Sequence, residues 1–411
     1  MERKIIFLGA GASIPFYNPR LSTKYITDAI KDKDKWSEIV SRYTSLMGPS
    51  NIIQVDAVVE TIESICKLFP NVNFEQIIEF LDKLTSYSFD PTSDTTTFHI
   101  LLRFFKVHYP SIGFHTWDNV PFLVRQLISE VILDLQTNHK SSDYDTYIQL
   151  FQDFLKNVSK DSELNIVTLN YDDTIYQATH GLGFKDGFIN GRFDFKEYIG
   201  ANKVLSFPHG HIRFTLDGEG ILYNPNSLEA SYLRLKNIAS HSREKTEYLI
   251  SSSFAYNFNT FIATGQQKDS TFDINPYAAY FQKFAHDGLV SDTVYIIGYS
   301  FSDPHFNRML LNFLSIKQTN KIIIVDYLDR DIDLMNEMSD GSGMIDTDNF
   351  IYRLWRYLKD TSPLSFSGDK YEFQSGVDNL NSTGFGEIFE RIFLYKKGFD
   401  SFLQEYNALV H

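Results

Sequence analysis

The first clear signal in the hydrophobic pattern is a short apolar run, Ile5 to Leu8, which reads as a buried strand. From Ser22 to Leu155 the pattern becomes helical. Val55, Val58, Val59, Ile62, Ile65 and Cys66 recur at helical spacing, as do Phe74, Ile77, Ile78, Leu81 and Leu84. Asn73 and Gln76 form a capping-box pattern that predicts where the second of these helices begins. Pro121 to Leu135 and Tyr147 to Leu155 predict two more, with loops at Ser86 to Thr97 and Gln136 to Asp145. Strand-like runs then return at 165–169, 204–207, 261–264, 293–297 and 321–325, separated by helical patterns such as Tyr277 to Ala285 and Phe306 to Leu314. Beyond Arg330 the signal is mixed: Phe350 to Tyr357 has strand character, while Gly386 to Tyr395 and Phe399 to Leu409 look helical.

β-branched runs alternating with helices predict a mostly parallel sheet covered on both faces. The first strand runs into Gly9-Ala-Gly-Ala-Ser13, where glycines permit a tight turn and close approach to a ligand. Ser13 is expected to cap a following helix, whose free N–H groups would face a phosphate. The predicted fold is therefore α/β and Rossmann-like, with a large helical insertion and a C-terminal α/β extension. The nucleotide-binding domain is assigned to 1–22 and 158–330, the insertion to 23–157, and the extension, for packing or oligomer contacts, to 331–411. A full dinucleotide fingerprint would need a small residue at Ile14 and an acidic residue ending a second strand. No strand-like run precedes Asp28 or Asp32, so an ordinary NAD-dependent dehydrogenase is disfavoured.

Composition narrows the choice further. The 411 residues can bury a substantial core, and 36 Phe with 24 Tyr favour broad packed surfaces within or between subunits. A net charge of −14 argues against general nucleic-acid binding. A single cysteine, Cys66, can build neither a disulfide framework nor a four-cysteine zinc module, and a reducing cytoplasm is expected. No run is long enough to span a membrane. Glu2 and the two glycines count against reading the N-terminus as an export signal.

Three more motifs sit at predicted strand ends, where ligands gather in parallel α/β sheets. In Asn170-Tyr-Asp172, Asn170 both donates and accepts hydrogen bonds and Asp172 accepts. The pair suits a ribose or an amide, or simply the cap of the next helix. In His209-Gly-His211, His209 suits proton transfer near neutrality. It could equally be a buried, satisfied histidine. A metal held by His209 and His211 lacks an evident third ligand, and no metal is expected. In Gly298-Tyr-Ser-Phe-Ser-Asp303-Pro304, Gly298 allows close approach, Ser300 and Ser302 suit phosphate or ribose hydroxyls, and Asp303-Pro304 starts a helix.

Taken in order, these four stretches resemble the sirtuin-like family. Gly-Ala-Gly-Ala-Ser is similar to its first nucleotide loop, Asn170-Tyr-Asp172 to its Asn-x-Asp, His209-Gly210 to its His-Gly, and Gly298-Tyr-Ser300 to its later Gly-x-Ser. The form Gly-Tyr-Ser-Phe-Ser-Asp-Pro resembles the bacterial sirtuin-like NADases of antiphage defence. The resemblance covers Lys4 to Leu21 and Leu164 to Tyr327. Protein-deacylating sirtuins carry a zinc module that one cysteine cannot supply, and usually have Gln where this chain has Leu169. Deacylation is thus disfavoured and hydrolysis of NAD+ favoured.

The resemblance implies an NAD+ glycohydrolase with Asn170 orienting the ribose and the attacking water. His209 would act as general base, and Asp172 would orient the nicotinamide end or steady charge. Gly9, Ala10, Gly11, Ala12 and Ser13 would hold the pyrophosphate through backbone N–H groups. Gly298, Ser300, Phe301 and Asp303 would lie near the phosphates or a ribose, and Asp326 would reach the adenosine ribose. It further implies NAD+ as substrate rather than cofactor, no zinc, a homo-oligomer, and a HerA-type hexameric ATPase as partner. No membrane and no direct nucleic-acid contact are expected. The competing expectations are an NAD-binding regulatory subunit without turnover and a nuclease- or DNA-associated subunit of a defence complex.

Overall fold

The computed structural model describes residues 1–37, 55–69, 72–89, 120–217, 220–223, 274–301, 303–316, 320–327, 385–389 and 392–410. The predicted strands at 261–264 and 350–357, the loop at 90–97 and Ser302 lie outside them. Strand β1 (Glu2–Leu8) leads into a 3₁₀ turn (Ala10–Phe16) and α1 (Thr23–Ala29). Helices α2 (Val55–Leu68), α3 (Phe74–Phe89), α4 (Val120–Asn138) and α5 (Tyr144–Val158) follow. Then come β2 (Ser162–Thr168), α6 (Thr174–Thr179), β3 (Phe188–Ile189), β4 (Arg192–Phe193), α7 (Phe195–Ile199) and β5 (Lys203–Ser206). Strands β6 (Phe214–Asp217) and β7 (Gly220–Tyr223) join β3 and β4 in a small antiparallel sheet. The rest is α8 (Tyr277–Val290), β8 (Thr293–Ile297), α9 (Pro304–Ile316), β9 (Lys321–Val325), β10 (Phe385–Phe389), β11 (Ile392–Tyr395) and α10 (Phe399–Val410).

The main sheet has the order β10-β11-β9-β8-β1-β2-β5, parallel throughout except for β10. Counting its parallel strands along the chain gives the spatial order third, second, first, fourth, fifth, sixth. This is the doubly wound arrangement, and its order reverses between β1 and β8. Register makes that reversal useful. Leu8 pairs with Thr168 on one side and with Ile297 on the other, and Ile297 pairs with Val325. The tips are level, so the residues just past them fall in one row along one edge.

Alternation within β1 divides its side chains between two helical layers. Phe7 packs on Phe284 of α8 and Phe306 of α9, at ring separations of 5.5 and 5.3 Å. Ile6 and Leu8 face the opposite core, where Phe154 of α5 meets Tyr295, Phe402 and Tyr406 edge-on. Helix α5 thus covers the sheet together with α10. Helices α1, α3 and α4 pack on one another ahead of it. Thr27 Oγ1 accepts the Phe74 N–H at 3.0 Å, and a buried Asp82–Arg125 ion pair at 2.6 Å ties α3 to α4.

Several expectations need correction. Of the run from Gly386 to Tyr395, the described residues 386–389 and 392–395 are strand, not helix. Ile392 to Tyr395 pairs in parallel with Ile322 to Val325, and the open edge of β9 decides a run whose periodicity is ambiguous. The C-terminal segment therefore extends the main sheet. Helix α3 continues through Phe89, past two serines that do not stop it, and the loop before α5 shrinks to 139–143. The capping box of α3 forms as read: Asn73 Oδ1 accepts the Gln76 N–H and Gln76 Oε1 accepts the Asn73 N–H, both at 3.0 Å.

Candidate active site

The two loops at the reversal point interlock. The N–H of Gly9 donates to Ile297 O, and that of Gly11 to Gly298 O, both at 2.9 Å. A Cβ on Gly298 would lie 2.2 Å from Ala12 N, and Gly298 has a φ of +61°. A Cβ on Gly9 would lie 2.5 Å from Gly298 O. Glycine is needed at these positions for backbone to pass backbone, not for a ligand's approach alone. Fewer backbone N–H groups are therefore left for a ligand than the sequence suggests. The N–H groups of Gly11 and Ala12 are already engaged, the latter with Gly9 O at 3.0 Å.

Ser13 is not a helix cap. It lies inside the 3₁₀ turn, buried, and its hydroxyl donates to Asp172 Oδ2 at 2.5 Å. Asn170 Nδ2 donates to Ser13 Oγ and to Gly9 O, each at 2.9 Å. A backbone carbonyl can only accept, which fixes the orientation of the carboxamide. Asn170 Oδ1 meets no donor among the described residues, which leaves it available to a ligand. Asp172 Oδ1 accepts the Thr174 N–H at 2.9 Å, so the helix-start role read from sequence coexists with the link to Ser13. Burial pushes the Asp172 carboxyl up, against the pull of the Ser13 and Thr174 hydrogen bonds.

His209 follows β5 and is buried beside the same row. Its ring stacks on Tyr171 at 6.4 Å and meets the edge of Phe306 at 5.5 Å. His209 Nε2 lies 3.4 Å from Asp303 Oδ2. Asp303 caps α9 as predicted, with Oδ1 accepting the N–H of His305 at 3.0 Å and of Phe306 at 3.4 Å. His211 turns away, to the Asp172 carbonyl at 3.2 Å and the Asp173 carboxylate at 3.5 Å. Among the described residues no cluster of three or more His, Cys, Asp or Glu could hold a metal ion.

These parts surround a cavity of about 380 Å³, within the usual size of small-molecule sites. Gly9, Ala10, Gly11, Ser13, Asn170, Asp172, His209, Gly298, Ser300, Asp303 and Asp326 all line it. Ala12 and Phe301 do not. Ala12 is buried against the glycine loop, and Phe301, at a φ of +54°, is buried against Tyr299. The opposite wall was not foreseen. Thr23 and Lys24 of α1, Asn73, and Phe74 and Glu75 of α3 line it, and the Tyr171 hydroxyl donates to Glu75 Oε1 at 3.2 Å. The capping box marked the start of α3, but no local signal says that its first turn faces a cavity.

Comparison with known proteins finds no family model and no curated protein that matches the chain. Among the described residues no helix is long and apolar enough to cross a membrane.

Proposed function

We propose that this chain is an NAD+ glycohydrolase. The observation that carries the reading is the convergence of the four stretches on one cavity, at the order reversal of a doubly wound sheet where nucleotides bind. Asn170 holds a fixed carboxamide with its oxygen available to a ribose hydroxyl or to water. Gly9, Ala10, Gly11 and Ser13 of the first loop, with Gly298 and Ser300 of the second, line the cavity where phosphate and ribose oxygens would lie. Asp326, at the tip of β9, suits the diol of the adenosine ribose.

In the reaction the bond from ribose C1′ to the nicotinamide nitrogen breaks, and its electron pair neutralises the pyridinium. Water forms the new bond to C1′, and its proton passes to His209. Asp172, joined to Asn170 through Ser13, steadies the oxocarbenium-like charge at a distance. The products are nicotinamide, ADP-ribose and one proton. The likeness of Gly298 to Pro304 to antiphage NADases supports a role in defence by NAD depletion, restrained by assembly with a HerA-type ATPase.

Mass spectrometry of NAD+ and its products, on the purified chain with and without such a partner, tests this. Nicotinamide and ADP-ribose should accumulate with the parent and not with His209→Ala. Equal turnover by both proteins, or none by either in both conditions, would overturn the assignment.

A further inference from the structure

Asp303, which the resemblance places near a phosphate or ribose, has the imidazole of His209 beside it. The 3.4 Å approach of His209 Nε2 to Asp303 Oδ2 joins two buried groups. Both are set by one helix start. The first turn of α9 supplies the two N–H groups that hold Asp303 Oδ1, and it also supplies Phe306, whose ring meets His209. The Asp303 carbonyl accepts the Tyr299 hydroxyl at 3.0 Å, which fixes the residue from the other side. Oδ2 is thus presented to the imidazole while Oδ1 is occupied.

We infer that Asp303 is a positioning residue that acts through His209. Its carboxylate stands close enough to Nε2 to act on the ring electrostatically, and it stabilises the imidazolium formed when His209 takes the proton of water. The inference rests on the reading of His209 as general base. The other charged or titratable groups lining the cavity among the described residues are Lys24, Glu75, Tyr171, Asp172, Tyr299 and Asp326. Glu75 is held by Tyr171, and Asp172 by Ser13 and Thr174.

The test is Asp303→Asn, which keeps a good helix cap and the side-chain shape but removes the charge. NAD+ turnover should fall about 100-fold in kcat, with KM changed by less than about threefold. The acid limb of kcat/KM should move to lower pH, because the anion that favours imidazolium is gone. Asp303→Glu should recover part of the rate. An unmoved limb with parent kcat would reduce Asp303 to a cap, and a raised KM with an unmoved limb would make it a ligand contact; either result overturns the inference.

A second readout needs no turnover. In protein with ¹³C-labelled histidine rings, the His209 signal is identified by its loss in His209→Ala. It should titrate at higher pH in the parent than in Asp303→Asn. Turnover in the parent with a His209 indifferent to Asp303 overturns the inference and leaves the hydrolase reading standing. Linked titration without turnover does the reverse.

Discussion

His209 and His211 stand two residues apart, each with an aspartate carboxylate near Nε2, at 3.4 and 3.5 Å respectively. Their surroundings differ in the third partner. Asp173, beside His211, is gripped by the Arg213 guanidinium through Nε at 2.6 Å and through Nη2. The Arg213 N–H also donates to His211 Nδ1 at 3.2 Å, so Nε2 carries the hydrogen and donates to the Asp172 carbonyl. Burial pushes the His211 pKa down to about 4; Asp173 works against this, while Arg213 adds to it. Asp303, beside His209, is held instead by backbone N–H groups at a helix start. A guanidinium neutralises the carboxylate that would otherwise favour a proton on the ring. One region keeps an imidazole neutral; in the other we propose that the imidazole takes a proton. Gly210, with a φ of +86°, makes the turn between them.

The largest effect that could break this contrast is on turnover. His209→Ala should lower NAD+ hydrolysis by about 1,000-fold, whereas His211→Asn should keep it within a few-fold. Equal losses in both would erase the distinction. On the structural side, Arg213→Met leaves the buried Asp173 carboxylate without its partner. Unfolding in urea should show a loss of about 3–5 kcal/mol.

A pH effect comes next. The unfolded His211 ring protonates near its ordinary value of about 6.5, but the folded ring only at about 4. Between those values the unfolded chain binds more protons, so this group lowers stability as the solution is acidified. At pH 5 the contribution is about 2 kcal/mol relative to neutral pH. The raised Asp172 carboxyl acts in the opposite direction, so the measure is the difference between parent and His211→Asn in urea midpoints at pH 7 and pH 5. A difference that does not change with pH would mean that the folded ring protonates normally. The smallest effect expected is from Asn73→Ala, which removes one half of a capping box at a cost of about 1 kcal/mol. It loosens the turn that carries Glu75, so KM for NAD+ should rise a few-fold while the His211 region is untouched.

The sheet side of the cavity was legible in the sequence because each of its parts is local. An apolar β-branched run followed by Gly, Asn or Asp marks a strand tip, and parallel topology brings tips together. What those residues do there was less legible. Gly9 and Gly298 signalled close approach, but the partner is each other's loop. Ser13 looked like a cap and is instead the link between Asn170 and Asp172. The wall from α1 and α3 left no trace, since only tertiary packing turns Glu75 toward Tyr171. Residues 392–395 are ambiguous for a related reason: Ile-Phe-Leu-Tyr fits either period, and the neighbouring β9 decides.

Central strand β1 is made well before its flanking partners, which begin at Ser162 and Thr293. Until the ribosome has synthesised past Gly298, the opening glycine turn lacks the segment that closes against it. A nascent or prematurely terminated polypeptide that stops short of that point carries the front half of the pocket and no rear. The proposed site thus has its two loops brought together only late in synthesis.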